Sequence, residues 1–274
     1  MKAKDIKQVV KEKYGLIARE SILVNNQSCC GTSGCCGGLE FSMIGDEYNN
    51  ISGHFPDADL GLGCGIPTEY AAIKPGDSVL DLGSGAGNDC FVARSIVGET
   101  GRVTGLDFTD AMVEKARVNN NKLGYANVEF VQGDIEEMPL PDAQFDVVVS
   151  NCVLNLVPDK NRAFAQIMRV LKPGGHFCVS DVVIKGELPE NLKKDAEMYV
   201  GCISGAISME DYLKIIADQG FQHVTVHKQR EIVVPKNILL RFLSEEEITQ
   251  LKNSGTGIFS VTVSGEKEIS RLVN

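Results

Sequence analysis

The chain has no tryptophan, no long apolar run and no surplus of basic residues. A membrane-spanning helix needs roughly 18 or more consecutive apolar residues, so no span is expected. The first residues, MKAKDIKQVVKEKYGLIARE, contain neither the apolar core nor the small-residue cleavage site of a secretory signal. A cytoplasmic location is therefore expected. Lys and Arg total 27 against 37 Asp and Glu, a formal net charge of −10. Such a chain is poorly suited to a nucleic-acid phosphate backbone or an anionic membrane surface. Its 274 residues, 43% hydrophobic and 23% charged, otherwise suit one or two globular domains with a sizeable core.

Cysteine, by contrast, is abundant: there are nine. Disulfide scaffolds are short, secreted and even in their cysteine count, and this chain meets none of those conditions. In a reducing compartment cysteines serve as ligands, reactive thiols or small core residues.

Residues 4–19 have a helical period, with Ile6, Val9, Val10, Leu16 and Ile17 forming a stripe interrupted by Lys13. The Gly-rich segment Ser28 to Gly38, SCCGTSGCCGG, reads as loop, and 39–70 as irregular chain. From Lys74 onward strands and helices alternate. Strands are expected at Ser78–Leu82, Val103–Asp107, Val128–Val131, Phe145–Ser150 and His176–Val183. Helices are expected at 88–97, 110–123 and 161–171, the last ended by Lys172-Pro173-Gly174-Gly175. A helix over 208–219, strands over 221–232 and Ile258–Val263, and a helical insertion near 236–252 complete the pattern. This alternation predicts an α/β fold with a mostly parallel, Rossmann-like sheet covered by helices on both faces. Three regions are expected: a Cys-rich N-terminal segment (1–69), a nucleotide-binding core (70–185), and a C-terminal part with α+β elements (186–274).

The first strand runs into Asp81-Leu82-Gly83-Ser84-Gly85-Ala86-Gly87. Glycines there permit a sharp turn and close approach of a ligand to the backbone. Asp107 closes the next strand, about 20 residues after Gly87, where a carboxylate can bind ribose hydroxyls. Alone, this pattern also suits a structural turn with no ligand. Gly133-Asp134-Ile135 after the third strand, and the RVLKPGG run from Arg169 to Gly175, add to it. Together these motifs resemble the class I S-adenosylmethionine-dependent methyltransferases. The resemblance implies that the Asp81–Gly87 loop borders the methionine part of that cofactor, through Asp81, Gly83, Ser84, Gly85 and Gly87. It also implies that Asp107 and Phe108 meet the ribose side, that Gly133, Asp134 and Ile135 flank the adenine, and that Asn151 lies at the cofactor site.

Cys90 and Cys178, behind the glycine loop and inside a strand, read as core residues. Cys152 follows the fourth strand, at the end of the sheet where ligands bind. Cys64 and Cys202 sit among glycines, where packing and functional roles are both open. The runs LGCG, SNCVLNLVPDK and GCISGA, with a vicinal cysteine pair upstream, resemble the arsenite methyltransferases, in their short microbial form. This resemblance spans nearly the whole chain. It implies that Cys152, Cys202 and Cys64 hold trivalent arsenic as substrate, with Cys30 joining a thiol relay and transient disulfide. It further implies a methyl donor, S-adenosylmethionine, no permanent metal, arsenite or its thiol conjugates as substrate, and a thiol reductant such as thioredoxin or glutathione. A monomeric enzyme of arsenic detoxification is expected.

Thiolates suit that chemistry, because arsenic(III) is a soft centre. Its lone pair can attack a sulfonium methyl without losing a proton, so alignment replaces a general base. Two other readings stay open. One is a small-molecule C- or O-methyltransferase with incidental cysteines. The other is a zinc site at Cys29, Cys30, Cys35 and Cys36. The C-C-x4-C-C spacing departs from the usual zinc pattern, and no histidine lies nearby.

Overall fold

The computed structural model describes residues 7–8, 10–12, 14–19, 48–189, 205–233, 236–240 and 243–269. Successive side chains of a strand point to opposite faces. In β1, Ser78–Leu82, Leu80 and Leu82 therefore join one apolar cluster and Val79 another. β4, Phe145–Asn151, divides likewise, with Val148 on the first face and Val147 and Val149 on the second. Strands apolar on both sides belong in the middle of a sheet covered twice.

β2 (Arg102–Asp107), β3 (Val128–Gln132), β5 (Leu171–Lys185), β6 (Gln222–Glu231) and β7 (Gly257–Glu266) complete a seven-stranded sheet of order β3-β2-β1-β4-β5-β7-β6. The first five strands run parallel, and β7 runs antiparallel to both its neighbours. The order reverses between β1 and β4, which opens a crevice at their carboxyl ends.

The described positions between 7 and 19 are helical and form α1. α2 (Asn88–Val97) and α3 (Asp110–Leu123) follow the first two strands, and α4 (Lys160–Val170) precedes β5. Asp159 caps α4 by accepting from Arg162 N–H, and Phe164 and Ile167 on its inner side are fully buried. α5 (Met209–Asp218) is capped by Ser208. The β6–β7 connection contains a short turn of helix, Lys236–Leu239, and α6 (Glu245–Asn253), which opens with a capping box between Ser244 and Glu247.

The mostly parallel sheet with helices agrees with the sequence expectation. One boundary differs. Lys172–Gly175 was expected only to end a helix, yet β5 already begins at Leu171, paired with Phe145. The register then shifts before His176 pairs with Val147. The end of β7 secures this bulge: Gly174 N–H donates to Lys267 O, and Lys267 Nζ donates to the carbonyls of Met168 and Leu171. The Cys-rich segment 28–38, with Cys29, Cys30, Cys35 and Cys36, lies outside the described residues, as does Cys202. No helix among the described residues is long and apolar enough to cross a membrane.

Candidate active site

The crevice at the β1/β4 reversal is a cleft lined by the glycine loop, the end of β2 and the end of β4. Gly83 and Ser84 N–H both donate to Leu106 O, at 2.7 and 3.1 Å, which bends the chain sharply off β1. Gly83 sits at φ +68, and a Cβ there would meet Val153 Cγ2 at 2.3 Å. Gly87 sits at φ +101 as the cap of α2, against Phe91 and Phe130. The loop is thus pressed flat, and glycine is required by contact as well as by dihedral.

Asp107 accepts from Thr109 N–H at 2.8 Å and from Gly85 N–H at 2.9 Å. These bonds partly offset its burial, which still holds its carboxyl above the usual range. Asp81 is buried and accepts from the Cys90 thiol at 3.2 Å. Burial, and then the neighbouring Asp89, push the Asp81 carboxyl well up. Asp89 itself is pushed up to about 6 by burial, although Tyr48 and Asn151 hydrogen bonds pull it back.

Nine of the eleven expected cofactor residues line this cleft: Asp81, Gly83, Ser84, Gly85, Asp107, Phe108, Asp134, Ile135 and Asn151. Gly87 and Gly133 are outside this lining: Gly87 caps α2, and Gly133 packs against Pro139. Three observations fit a bound S-adenosylmethionine. Three buried carboxylates, Asp81, Asp89 and Asp107, face one cleft and suit a ligand with cationic groups. The buried Ser84 Oγ has no hydrogen-bond partner among the described residues. The glycine loop leaves its backbone open to close approach.

Some lining residues had no sequence signal. Tyr48 comes from the irregular stretch before β1, yet its hydroxyl donates to Asp89 Oδ1 at 2.7 Å. Asp89 was readable only as an acidic residue in the first turn of a helix. From α1, Lys7, Val10 and Tyr14 reach the cleft, and Lys7 Nζ pairs with Asp134 at 2.5 Å and with Glu136.

The thiols divide sharply. Cys90 and Cys178 are fully buried in the core on one face of the sheet, and burial pushes the Cys178 thiol up to about 12. Cys64 and Cys152 come together in a different cluster, with Val182, Ile232, Leu239 and Ile248. Leu239 and Ile248 belong to the β6–β7 connection, which therefore packs against the two cysteines as the roof of this apolar cluster. Cys152 also lines the cleft, directly after β4, and its backbone is left-handed at φ +59. A non-glycine residue there is strained by about 1–3 kcal/mol, a cost that functional sites commonly carry. Tyr212, in the neighbouring apolar cluster, donates to Asp181 at 3.0 Å. Burial, and then Asp181, push the phenol well up, with smaller effects from Cys64 and Cys152. The expected partners Cys202 and Cys30 lie outside the described residues. The chain is next described at Gly205, where a Cβ would meet the Asn155 carbonyl oxygen at 1.8 Å.

Residues 73–220 match the family model for a methyltransferase domain. An arsenite methyltransferase of Halobacterium salinarum is 37% identical over 96% of this chain and 67% of its own length. One from Aquipseudomonas alcaligenes is 32% identical over 86% of this chain and 68% of its own. Among solved structures, the arsenic(III) S-adenosylmethionine methyltransferase CrArsM of Chlamydomonas reinhardtii matches with a TM-score of 0.64 at 33% identity, covering 84% of this chain and 74% of that one. The likeness extends beyond the cofactor-binding core into the regions that carry Cys64 and the β6–β7 roof, and the chain belongs to the arsenite methyltransferases, on the class I S-adenosylmethionine-dependent fold.

Proposed function

We propose that the protein methylates trivalent arsenic held by the thiolates of Cys152, Cys202 and Cys64, with Cys30 joining the thiol relay. The observation that carries this reading is that Cys64 and Cys152 share one buried apolar cluster, with Cys152 also on the wall of the cofactor cleft. Each arsenic–sulfur bond forms as a thiol proton leaves with an arsenic hydroxyl as water, so the site needs no permanent base. S-adenosylmethionine supplies an electrophilic methyl group on a cationic sulfonium. The chain orients the arsenic lone pair toward that methyl, a contribution of proximity and alignment. The apolar roof excludes water from the thiolates.

Methyl transfer raises arsenic formally to the pentavalent state. Two cysteine thiolates return it to the trivalent state by forming a disulfide, which a thiol reductant such as thioredoxin or glutathione reopens. The region 1–69 would capture the metalloid, 70–185 bind the cofactor, and 186–274 supply Cys202 and the roof. A monomeric cytoplasmic enzyme of arsenic detoxification accords with this reading.

The test supplies arsenite, S-adenosylmethionine and a thiol reductant, with methylated arsenic detected by mass spectrometry. Methylated product is expected from the native chain and none from Cys152→Ser or Cys202→Ser. Absence of product from the native chain with normal cofactor binding would overturn the proposal.

A further inference from the structure

Asn151 lines the cofactor cleft, and its side chain is divided between that cleft and the Cys64 loop. Its Oδ1 accepts from Cys64 N–H at 3.0 Å, and its Nδ2 lies 2.8 Å from Gly65 O. One side-chain amide thus accepts from Cys64 N–H and lies against the Gly65 carbonyl, bracketing the Cys64–Gly65 segment. The fit is close on both flanks. A Cβ at Gly63 would lie 2.7 Å from Asn151 Nδ2, and one at Gly65 would lie 2.5 Å from Ser180 Oγ. From the far side Ser260 Oγ donates to Cys64 O. The Gly63-Cys64-Gly65 backbone is therefore held at both its N–H and its C=O by side chains of the sheet.

The next residue, Cys152, is fixed by the same strands, with its N–H donating to Ser180 O at 2.7 Å. Asn151 Nδ2 also lies 2.8 Å from the Tyr48 hydroxyl and 3.1 Å from Asp89 Oδ2, both on the cofactor cleft. With two hydrogens facing three acceptors, its hold on Gly65 is shared with the cleft.

We infer that Asn151 is a positioning residue for Cys64: its amide sets the LGCG loop so that Cys64 packs in one buried cluster with Cys152, and links that placement to the cofactor cleft. The arsenic-binding consequence rests on the proposed function above; the placement of Cys64 does not. No other side chain of similar length reproduces this. Aspartate lacks the donor, and would set a further carboxylate against Asp89, beside Asp81. Serine is too short to span Cys64 N–H and Gly65 O together.

The experiment uses the full chain and three measurements: the alkylation rate of each cysteine by peptide mass spectrometry, arsenite affinity by equilibrium dialysis, and S-adenosylhomocysteine affinity by calorimetry. In Asn151→Asp, Cys64 should label at least tenfold faster while Cys90 and Cys178 keep their native rates. Arsenite affinity should fall at least tenfold. If Asn151→Asp does not fold, Asn151→Ser is read in the same way. Native Cys64 labelling with weakened S-adenosylhomocysteine binding would make Asn151 a cofactor contact only, and overturn the inference. Faster labelling of Cys90 and Cys178 as well would show general loosening, and also overturn it. Cys64→Ser measured in parallel separates the two proposals. If it keeps native arsenite affinity, Cys64 is not an arsenic ligand, while the labelling result still decides what Asn151 does.

Discussion

At the scale of single residues, contact distance separates glycines that look alike in sequence. Gly83 and Gly85 both have positive φ, at +68 and +51. A Cβ on Gly83 would overlap Val153, whereas one on Gly85 would meet nothing within 4 Å. Gly85→Ala therefore carries only the left-handed cost of about 1–2 kcal/mol. Gly83→Ala adds a steric clash in the loop that shapes the cleft. Calorimetry should show at least a tenfold loss of cofactor affinity in Gly83→Ala, together with a lower Tm than Gly85→Ala. Equal Tm values would remove Val153 from the explanation. The cysteines separate in the same manner. Cys90 and Cys178 lie in core strands and helices, so Cys178→Ala should leave methyl transfer within about twofold of native. Cys152→Ser should abolish it. The same assay of methylated arsenic reads both.

At the scale of elements, much was legible because the elements are regular. α2 follows from its place after the glycine loop, α3 from the apolar face of Met112, Ala116 and Leu123, and the strands from their apolar runs. The cleft could be placed at the ends of β1, β2 and β4 because the glycine loop and Asp107 fall where strands end. What could not be read was the contribution of irregular chain. Tyr48 reaches Asp89 from a segment without period, and no spacing rule announces such a contact. The Lys172–Gly175 bulge likewise depends on Lys267, which is remote in sequence. α1 was legible as a helix, but its location was not. Its Lys7 pairs with Asp134 and Glu136, and Lys11 lies 5.5 Å from the Phe108 ring centroid. Asp134 and Phe108 are both expected to contact the cofactor, so α1 lies over that end of the cleft. The Lys7 pairs are part-exposed and worth at most about 1 kcal/mol to folding. Lys7→Glu should therefore change Tm by little, yet weaken cofactor binding at least fivefold, because the new carboxylate repels Asp134 and Glu136 and lifts α1 off that end of the cleft. A large loss of Tm with native cofactor affinity would show that α1 serves stability alone. Elsewhere, Ser244→Ala removes the capping box of α6 and should cost about 1 kcal/mol, read as a shift in denaturation midpoint.

At the scale of the whole molecule, the protein is acidic, yet its consequential carboxylates are internal. Burial raises Asp81, Asp89, Asp107 and Asp181, with Asp89 and Asp181 each at about 6. A carboxyl raised on folding keeps its proton in the native state after the unfolded chain has released it. Its stabilising contribution is complete below about pH 4 and is lost as pH rises through about 6. Asp146, lowered overall by its bonds to Lys172 and Ser78 despite burial, acts oppositely, but in a window below about pH 4. The ligand-free protein should therefore have a higher Tm at pH 5.5 than at pH 7.5. Cofactor binding should run the other way. Asp89 faces the cleft beside Asp81, and only its ionised form attracts a cationic ligand. The sulfonium of S-adenosylmethionine carries its positive charge at every pH, so the ligand keeps a cationic group between pH 5.5 and 7.5. S-adenosylmethionine affinity should accordingly fall several-fold from pH 7.5 to 5.5, and its stabilising effect on Tm should shrink. Asp89→Asn should reduce both slopes, because the titrating group is gone while an acceptor for Tyr48 remains. Thermal unfolding with and without S-adenosylmethionine at the two pH values reads both trends. A ligand-free Tm that falls on acidification would place the destabilising charge outside these carboxylates. An unchanged binding slope in Asp89→Asn would assign that titration to Asp81 or Asp107, and an unchanged ligand-free Tm slope would assign it to these or to Asp181.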